Sequence, residues 1–349
     1  MNAWSKEISA IGHALLPDLS VVIPEYTQLE PYRDRNLNSW REKGSYNFHV
    51  ATQNSFELQV NLREYGAILF AEAQHLLNHA AEQRAHILSL LASTKERDPS
   101  PSWLFVTLYY MALYVAMSWT RVANVAVVYL DKDSIRRYCA MSNKFPRGGA
   151  FTVSTRIDPS SSIPYTKFKK CNSSHFHEAV WITAHGIADR LKIDIESKTS
   201  GRRPTSDEFL ALRGLSLFQG YQFPQPMVWQ SHIRNGINYR PGYSYRSVVK
   251  NNFLHTLALL SKPNFPTLND VISFGERAKH KLLKQEDPFK SIDNCVDLLV
   301  SQTLFIETAV EASLIEFCKF RNLKYSAFSS RKNFRRKTCC ANSILNTPG

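Results

Sequence analysis

Along most of this 349-residue chain the apolar positions recur at three- and four-residue intervals, the period of a helix that buries one face. Residues 55–94 contain no proline and a single glycine, Gly66, and Leu58, Leu62, Ile68, Leu69, Leu76, Leu77, Ile87, Leu88 and Leu91 fall largely on that spacing. The pattern predicts one long helix. It stops at Asp98-Pro99-Ser100-Pro101, because proline lacks the amide donor and crowds the preceding turn. The next run, residues 103–130, carries Arg121 as its only charge and predicts a second, strongly apolar helix with Ser102 as its N-cap. Residues 103–120 are eighteen uncharged residues in succession, long enough to raise a membrane span, with Trp103 and Trp119 as interfacial anchors. Thr107, Ser118, Thr120 and Asn124 add polarity, and the preceding helix offers apolar surface to cover the run. A buried central helix is therefore expected, with a membrane segment as the alternative.

The middle of the chain changes character. Residues 146–168, PRGGAFTVSTRIDPSSSIPYTKF, alternate apolar and polar over short stretches broken by Gly, Pro and Ser, and predict one or two short strands in a loop-rich insertion. Helical patterns resume over 175–191, capped by Ser173 or Ser174, and over 207–218. Residues 223–230 read as extended. Helices are then predicted over 245–260 and 267–283, and Asp287-Pro288 opens a last helix to about residue 320 whose apolar face includes Ile292, Val296, Leu299, Phe305, Ile306, Val310, Leu314 and Phe317. The expected fold is mainly α: a helical bundle core with a loop-rich insertion containing one or two short strands. It divides into an N-terminal helical part (1–145), the insertion with short helices (146–225), a C-terminal helical part (226–320) and a tail (321–349).

Composition narrows the class. With 44% hydrophobic residues the chain can bury a substantial core. Its six cysteines, Cys139, Cys171, Cys295, Cys318, Cys339 and Cys340, show no CxxC spacing, which speaks for a reducing compartment and against a zinc ribbon. The first twenty residues lack a charged segment followed by an unbroken apolar run, so a cytoplasmic protein is expected. The net charge of +13 is unevenly spread: residues 1–150 carry 15 basic and 14 acidic side chains, residues 151–318 carry 20 and 16, and residues 319–349 carry 8 and none. That tail, with Arg331, Lys332, Arg335, Arg336 and Lys337, points to a polyanionic partner, RNA rather than DNA, or an acidic protein surface. A solvated basic tail is the plainer alternative.

Signatures of common enzymes are missing. No P-loop, GxGxxG after a strand, GxSxG elbow or HExxH occurs. His175, His177, Glu178 and His185 form the nearest approach to a metal cluster, but His175 and His177 on a helix would point about 200° apart. No metal and no cofactor are expected, and these histidines read as ordinary helix-surface residues.

The densest chemistry lies in residues 231–246, SHIRNGINYRPGYSYR, with three arginines and three tyrosines in sixteen residues. Arginine supplies planar charged donors and tyrosine a stacking face and a hydroxyl, the combination that holds phosphates and bases. Gly236, Pro241 and Gly242 predict a loop or helix edge here. Arg234, Asn235, His232 and Tyr239 are the candidate catalytic residues. Arg240, Tyr243, Tyr245 and Arg246, with the basic tail, are the candidate nucleic-acid contacts.

An apolar helix carrying Tyr109-Tyr110-Met111-Ala112, followed later by Arg234-Asn235 and a ring side chain, resembles the HEPN superfamily of all-helical proteins. That resemblance implies a metal-independent ribonuclease, a toxin or antiviral-defence component, that often dimerises so that two motifs meet. The family motif is arginine, a polar residue, then histidine after four to six intervening positions. Arg234 and Asn235 match the first two, while Tyr239, Arg240 and Pro241 stand where the histidine would be. Residues 101–119 also resemble the corresponding helix of the bacterial YaaC-like group, which implies a non-catalytic adaptor as the alternative. Attack by a 2′-hydroxyl needs a base that titrates near neutrality, as histidine does. His232 could serve only if the backbone were not helical, since on a helix it faces away from Arg234. Three readings thus stand for the segment: bracing of a helix end, nucleic-acid binding without chemistry, and RNA cleavage.

Overall fold

A computed structural model describes residues 3–22, 36–37, 40, 42, 45–92, 100–140, 142–173, 175–221, 223, 225–239, 257, 260 and 267–322. The expected helix over 245–260 falls outside these except at Leu257 and Leu260. So do Arg240, Tyr243, Tyr245 and Arg246, and the tail positions Arg331, Lys332, Arg335, Arg336 and Lys337.

The fold is mainly α with a small antiparallel sheet. Two N-terminal helices, α1 (Ala3–Lys6) and α2 (Ser9–Val22), lead to a hairpin of β1 (Tyr46–Ala51) and β2 (Ser55–Val60), then α3 (Leu62–Ala92), α4 (Pro101–Val122), β3 (Ala126–Leu130) and α5 (Lys132–Tyr138). A second hairpin, β4 (Gly149–Ile157) and β5 (Pro164–Lys170), precedes α6 (Phe176–Thr199), α7 (Ser206–Ser216), α8 (Trp229–Tyr239) and α9 (Leu268–Leu282). A single 3-10 turn, Pro288–Ser291, opens α10 (Ile292–Phe320). The sheet order is β1-β2-β5-β4-β3. The expected insertion thus supplies the two strands at the heart of the sheet.

Two predicted helices are each shared with a strand. Residues 55–60 follow a period of two, with Phe56, Leu58 and Val60 buried on one face; Leu58 and Leu62 only happen to be four apart. Helix α3 begins after them, where Asn61 Oδ1 accepts from the Glu64 amide at 3.2 Å and satisfies one free donor of the first turn. Helix α4 starts from Ser100 with Pro101 at its first position, two residues before the expected cap, because proline fits where no helical partner is needed. It ends at Val122. Asn124 adopts the left-handed conformation (φ 55°), which asparagine tolerates, and turns the chain into β3. Its side chain clamps the Thr155 backbone of β4 from both sides, donating at 2.8 Å and accepting at 3.0 Å. The lone charge of the run, Arg121, is 3% exposed; it pairs with Glu72 of α3 at 2.8 Å and donates to the Met117 and Val127 carbonyls.

The core is one cluster. Helix α4 packs along α3 and against α10 and α6, while α10 also meets α9 and α2. Trp119, Trp181 and Trp229 are fully buried between them. The covered face of the sheet holds Phe56, Phe151 and Phe168 with Tyr138 of α5; the Phe56 and Phe168 rings stack at 4.5 Å. Among the described residues, two helices are long and apolar enough to cross a membrane by composition, within Ser102–Val122 and Phe289–Phe320, and protein covers 78% and 89% of them.

Candidate functional site

Residues 229–239 are helical, where glycine and proline content predicted a loop or helix edge. Ile233 and Ile237 bury one side of α8, and Gly236 permits a close approach: a Cβ at that position would overlap the Phe289 ring. His232, one turn earlier on the same side, also lies against Phe289, with ring centroids 5.4 Å apart. The helix thereby sends Ser231, Arg234 and Asn235 toward a different neighbourhood, formed by α4 and the start of α6.

There an open cavity of about 390 Å³ is lined by Tyr129 of β3, His175, Phe176, His177 and Glu178 at the start of α6, and Ser231, Arg234 and Asn235 of α8. This is within the usual size of small-ligand sites, about 300–1,000 Å³. Arg234 donates through Nη2 to the Tyr110 hydroxyl at 2.6 Å and through Nη1 to Asn235 Oδ1 at 3.0 Å. Its guanidinium carbon also lies 6.0 Å from the Tyr109 ring centroid, 5.5 Å from that of Tyr110 and 5.6 Å from that of Tyr239, a cage of three aromatic faces. The buried Nε has no partner, and among the described residues no carboxylate forms an ion pair with Arg234. Glu178 is taken instead by Ser173, whose Oγ donates to Oε2 at 2.7 Å. Among the described residues, then, neutral side chains hold the arginine, and the carboxylate that shares its cavity, Glu178, is bonded elsewhere.

His177 stands on the Tyr109–Tyr110 side of this arrangement. Its ring centroid is 5.8 Å from that of Tyr109 and 5.9 Å from that of Tyr110, edge-on to the latter. Burial, then the positive charge of Arg234, depresses its pKa below the ordinary histidine value, so the imidazole is neutral and basic at neutral pH. Tyr109 shares a 3.0 Å hydrogen bond with Ser231, and burial pushes its phenol up to about 12. It stays protonated and can donate.

The structure brings Arg234 and Asn235 together at the cavity. Tyr239, 71% exposed, covers the guanidinium from the solvent side. His232 is not among the lining residues and packs against Phe289 instead. His177, Tyr110, Ser231 and Tyr129 join the site without having been candidates for it. In the sequence His177 reads as an ordinary helix-surface histidine, and it lies 57 positions before Arg234, so no local spacing links the two. His185, read as a surface histidine, is buried: desolvation lowers its pKa to about 4, and its ring meets that of Phe218 edge-on at 5.6 Å. Among the described residues no group of three or more His, Cys, Asp or Glu side chains could hold a metal.

No family model matches the chain, and there is no significant match among curated proteins or solved structures.

Proposed function

We propose that this protein binds RNA at the Arg234 cavity and cleaves it without a metal, in the manner that the HEPN resemblance implies. The observation that carries the reading is the placement in one open cavity of an arginine with no carboxylate partner among the described residues and a histidine that burial, and then the arginine charge, keeps neutral. Arg234 faces the phosphodiester and stabilises the charge that builds on its non-bridging oxygens. Asn235 fixes the guanidinium plane through Nη1, and Tyr110 does so through Nη2. The neutral His177 ring takes the proton of the 2′-hydroxyl as its oxygen attacks phosphorus. The P–O5′ bond breaks, and the 5′-oxygen leaves with a proton from solvent at the cavity mouth. The products are a 2′,3′-cyclic phosphate and a 5′-hydroxyl. The proton-handling role expected of His232 or Tyr239 falls to His177, because His232 rests on the Phe289 side of the helix. A place among toxins or antiviral-defence proteins, a cytoplasmic location and dimerisation belong to the same proposal.

Cleavage of a labelled single-stranded RNA in the presence of a chelator tests it. Arg234→Ala and His177→Ala should each lower the rate by about a hundredfold or more, the scale for losing a charge stabiliser or a general base. His232→Ala should leave it within a few-fold. Equal rates for all variants would sink the assignment. Loss in His232→Ala alone would return the role to that residue.

The second reading is a non-catalytic binding protein of the YaaC-like kind. The tyrosine cage around Arg234 favours it, since cation–π and phenol contacts suit anion capture as well as catalysis.

A further inference from the structure

We infer that the Arg234 cavity selects guanosine, with Glu178 accepting hydrogen bonds from the base while Arg234 holds the phosphate, so that cleavage falls on the 3′ side of guanosine. The cleavage rests on the proposed function, whereas the base preference has a readout of its own.

Three kinds of side chain line the cavity, and each answers to a different part of one nucleotide. Arg234 is the cation: its bonds to Asn235 and Tyr110 commit two of the five guanidinium N–H groups. Tyr129 and Phe176 bring ring faces. Tyr129 is 58% exposed and meets no other ring among the described residues, and Phe176 is half-buried, edge-on to His177 at 6.1 Å. Glu178 is the acceptor. It is half-buried, and among the described residues its carboxylate has one partner, the Ser173 hydroxyl at Oε2. Oε1 and the second lone pair of Oε2 are left to a ligand. A cavity of about 390 Å³ suits a single nucleotide.

The carboxylate decides which base. It accepts and never donates, so it favours a base edge that presents neighbouring N–H groups and repels one that presents carbonyl or ring-nitrogen acceptors. Guanine alone among the four RNA bases carries two adjacent donors on its Watson–Crick edge, N1–H and the N2 amino group. Adenine and cytosine set an amino group beside a ring-nitrogen acceptor, and uracil sets N3–H between two carbonyls. Unpaired bases are read in this way, stacked on aromatic rings and hydrogen-bonded along that edge. His177 and Glu178 are consecutive on α6 and line the same cavity, so the ribose whose 2′-hydroxyl meets His177 carries the base that reaches Glu178. That nucleotide lies on the 5′ side of the cut. Glu178 also occupies the first turn of α6, where a negative charge suits the positive end of a helix. A purely stabilising role of that kind is indifferent to the base, and this separates the two.

The test is calorimetric binding of the 3′-monophosphates of guanosine, inosine, adenosine, cytidine and uridine to the full chain. Guanosine should bind about tenfold or more tighter than adenosine, cytidine and uridine. Inosine, which lacks the N2 amino group, should fall about tenfold below guanosine, the scale of one hydrogen bond to a charged group. Glu178→Gln sets an amide N–H against the guanine donors and should erase the preference, while inorganic phosphate binds no more weakly than to wild type. No binding, equal affinity for all five, or a guanosine preference that survives Glu178→Gln would overturn the inference. If guanosine 3′-monophosphate is preferred and no RNA is cut, the base site stands and the nuclease reading fails. If RNA is cut equally after all four bases, the nuclease reading stands and the base site fails.

Discussion

At the scale of single residues the account turns on the coupling of His177 and Arg234. A histidine whose folded pKa lies below its ordinary value takes up a proton less readily than a free one. The neutral, basic form is therefore present above that lowered pKa and is lost only as pH falls through it. Cleavage that depends on His177 as base should accordingly stay level at neutral pH and decline on a limb whose midpoint lies below 6.5. Part of the depression comes from Arg234, so its neutralisation in Arg234→Gln should move the midpoint upward. Titration of the His177 ring by NMR in the two proteins checks this. A midpoint that stays put would mean that the guanidinium charge does not reach the imidazole. Arg234 itself was visible in the sequence as part of a dense Arg/Tyr run, but its caging by Tyr109 and Tyr110 was not, since they lie more than a hundred positions earlier. His177 was not legible as a partner, because what joins it to Arg234 is the packing of α6 and α8 against α4 and each other, contacts between segments far apart in sequence.

At the scale of elements, α8 shows how one small residue orients a site. Gly236 lets the helix press against Phe289, and that contact turns Arg234 toward Tyr110. Gly236→Ala places a methyl group in the Phe289 ring. Despite the better helix propensity of alanine, it should destabilise the fold by about 1–3 kcal/mol, the usual cost of overpacking. A chemical-denaturation midpoint reads the loss, and Phe289→Ala combined with it should recover part of that cost; a stabilised Gly236→Ala would contradict the contact. Strands β2 and β3 explain why the first two helical patterns, 55–94 and 103–130, were over-read. Each strand joins a helix without an intervening proline, and its buried residues blend into the apolar run of its neighbour. What separates them is a turn residue with no strong sequence mark: Asn61 as a cap before α3, and Asn124 in the left-handed conformation after α4. Arg121 looked like an isolated charge in an apolar run and proves to be a buried brace between α3, α4 and β3.

Over the whole molecule, helical periodicity was a sound guide to fold class, since long apolar faces need a bundle to cover them. The sheet was half seen. Period-two alternation marked β4 and β5, but nothing in a single segment shows that both hairpins and β3 close into five strands, because that pairing is settled between distant residues. The +13 charge drew attention to the tail, whereas on the sheet the exposed cations Arg156 and Lys167 are both paired to Glu57. An arginine with no carboxylate partner among the described residues and a neutral histidine in the same cavity motivate one proposal, cleavage of RNA through its own 2′-hydroxyl. The most direct measurement is the chemistry of the new ends, read by mass spectrometry after incubating chelator-treated protein with single-stranded RNA. The account predicts 2′,3′-cyclic phosphate and 5′-hydroxyl termini, abolished by a 2′-deoxy substitution at the cut. Intact RNA, or 5′-phosphate termini that persist with the deoxy substrate, would contradict it.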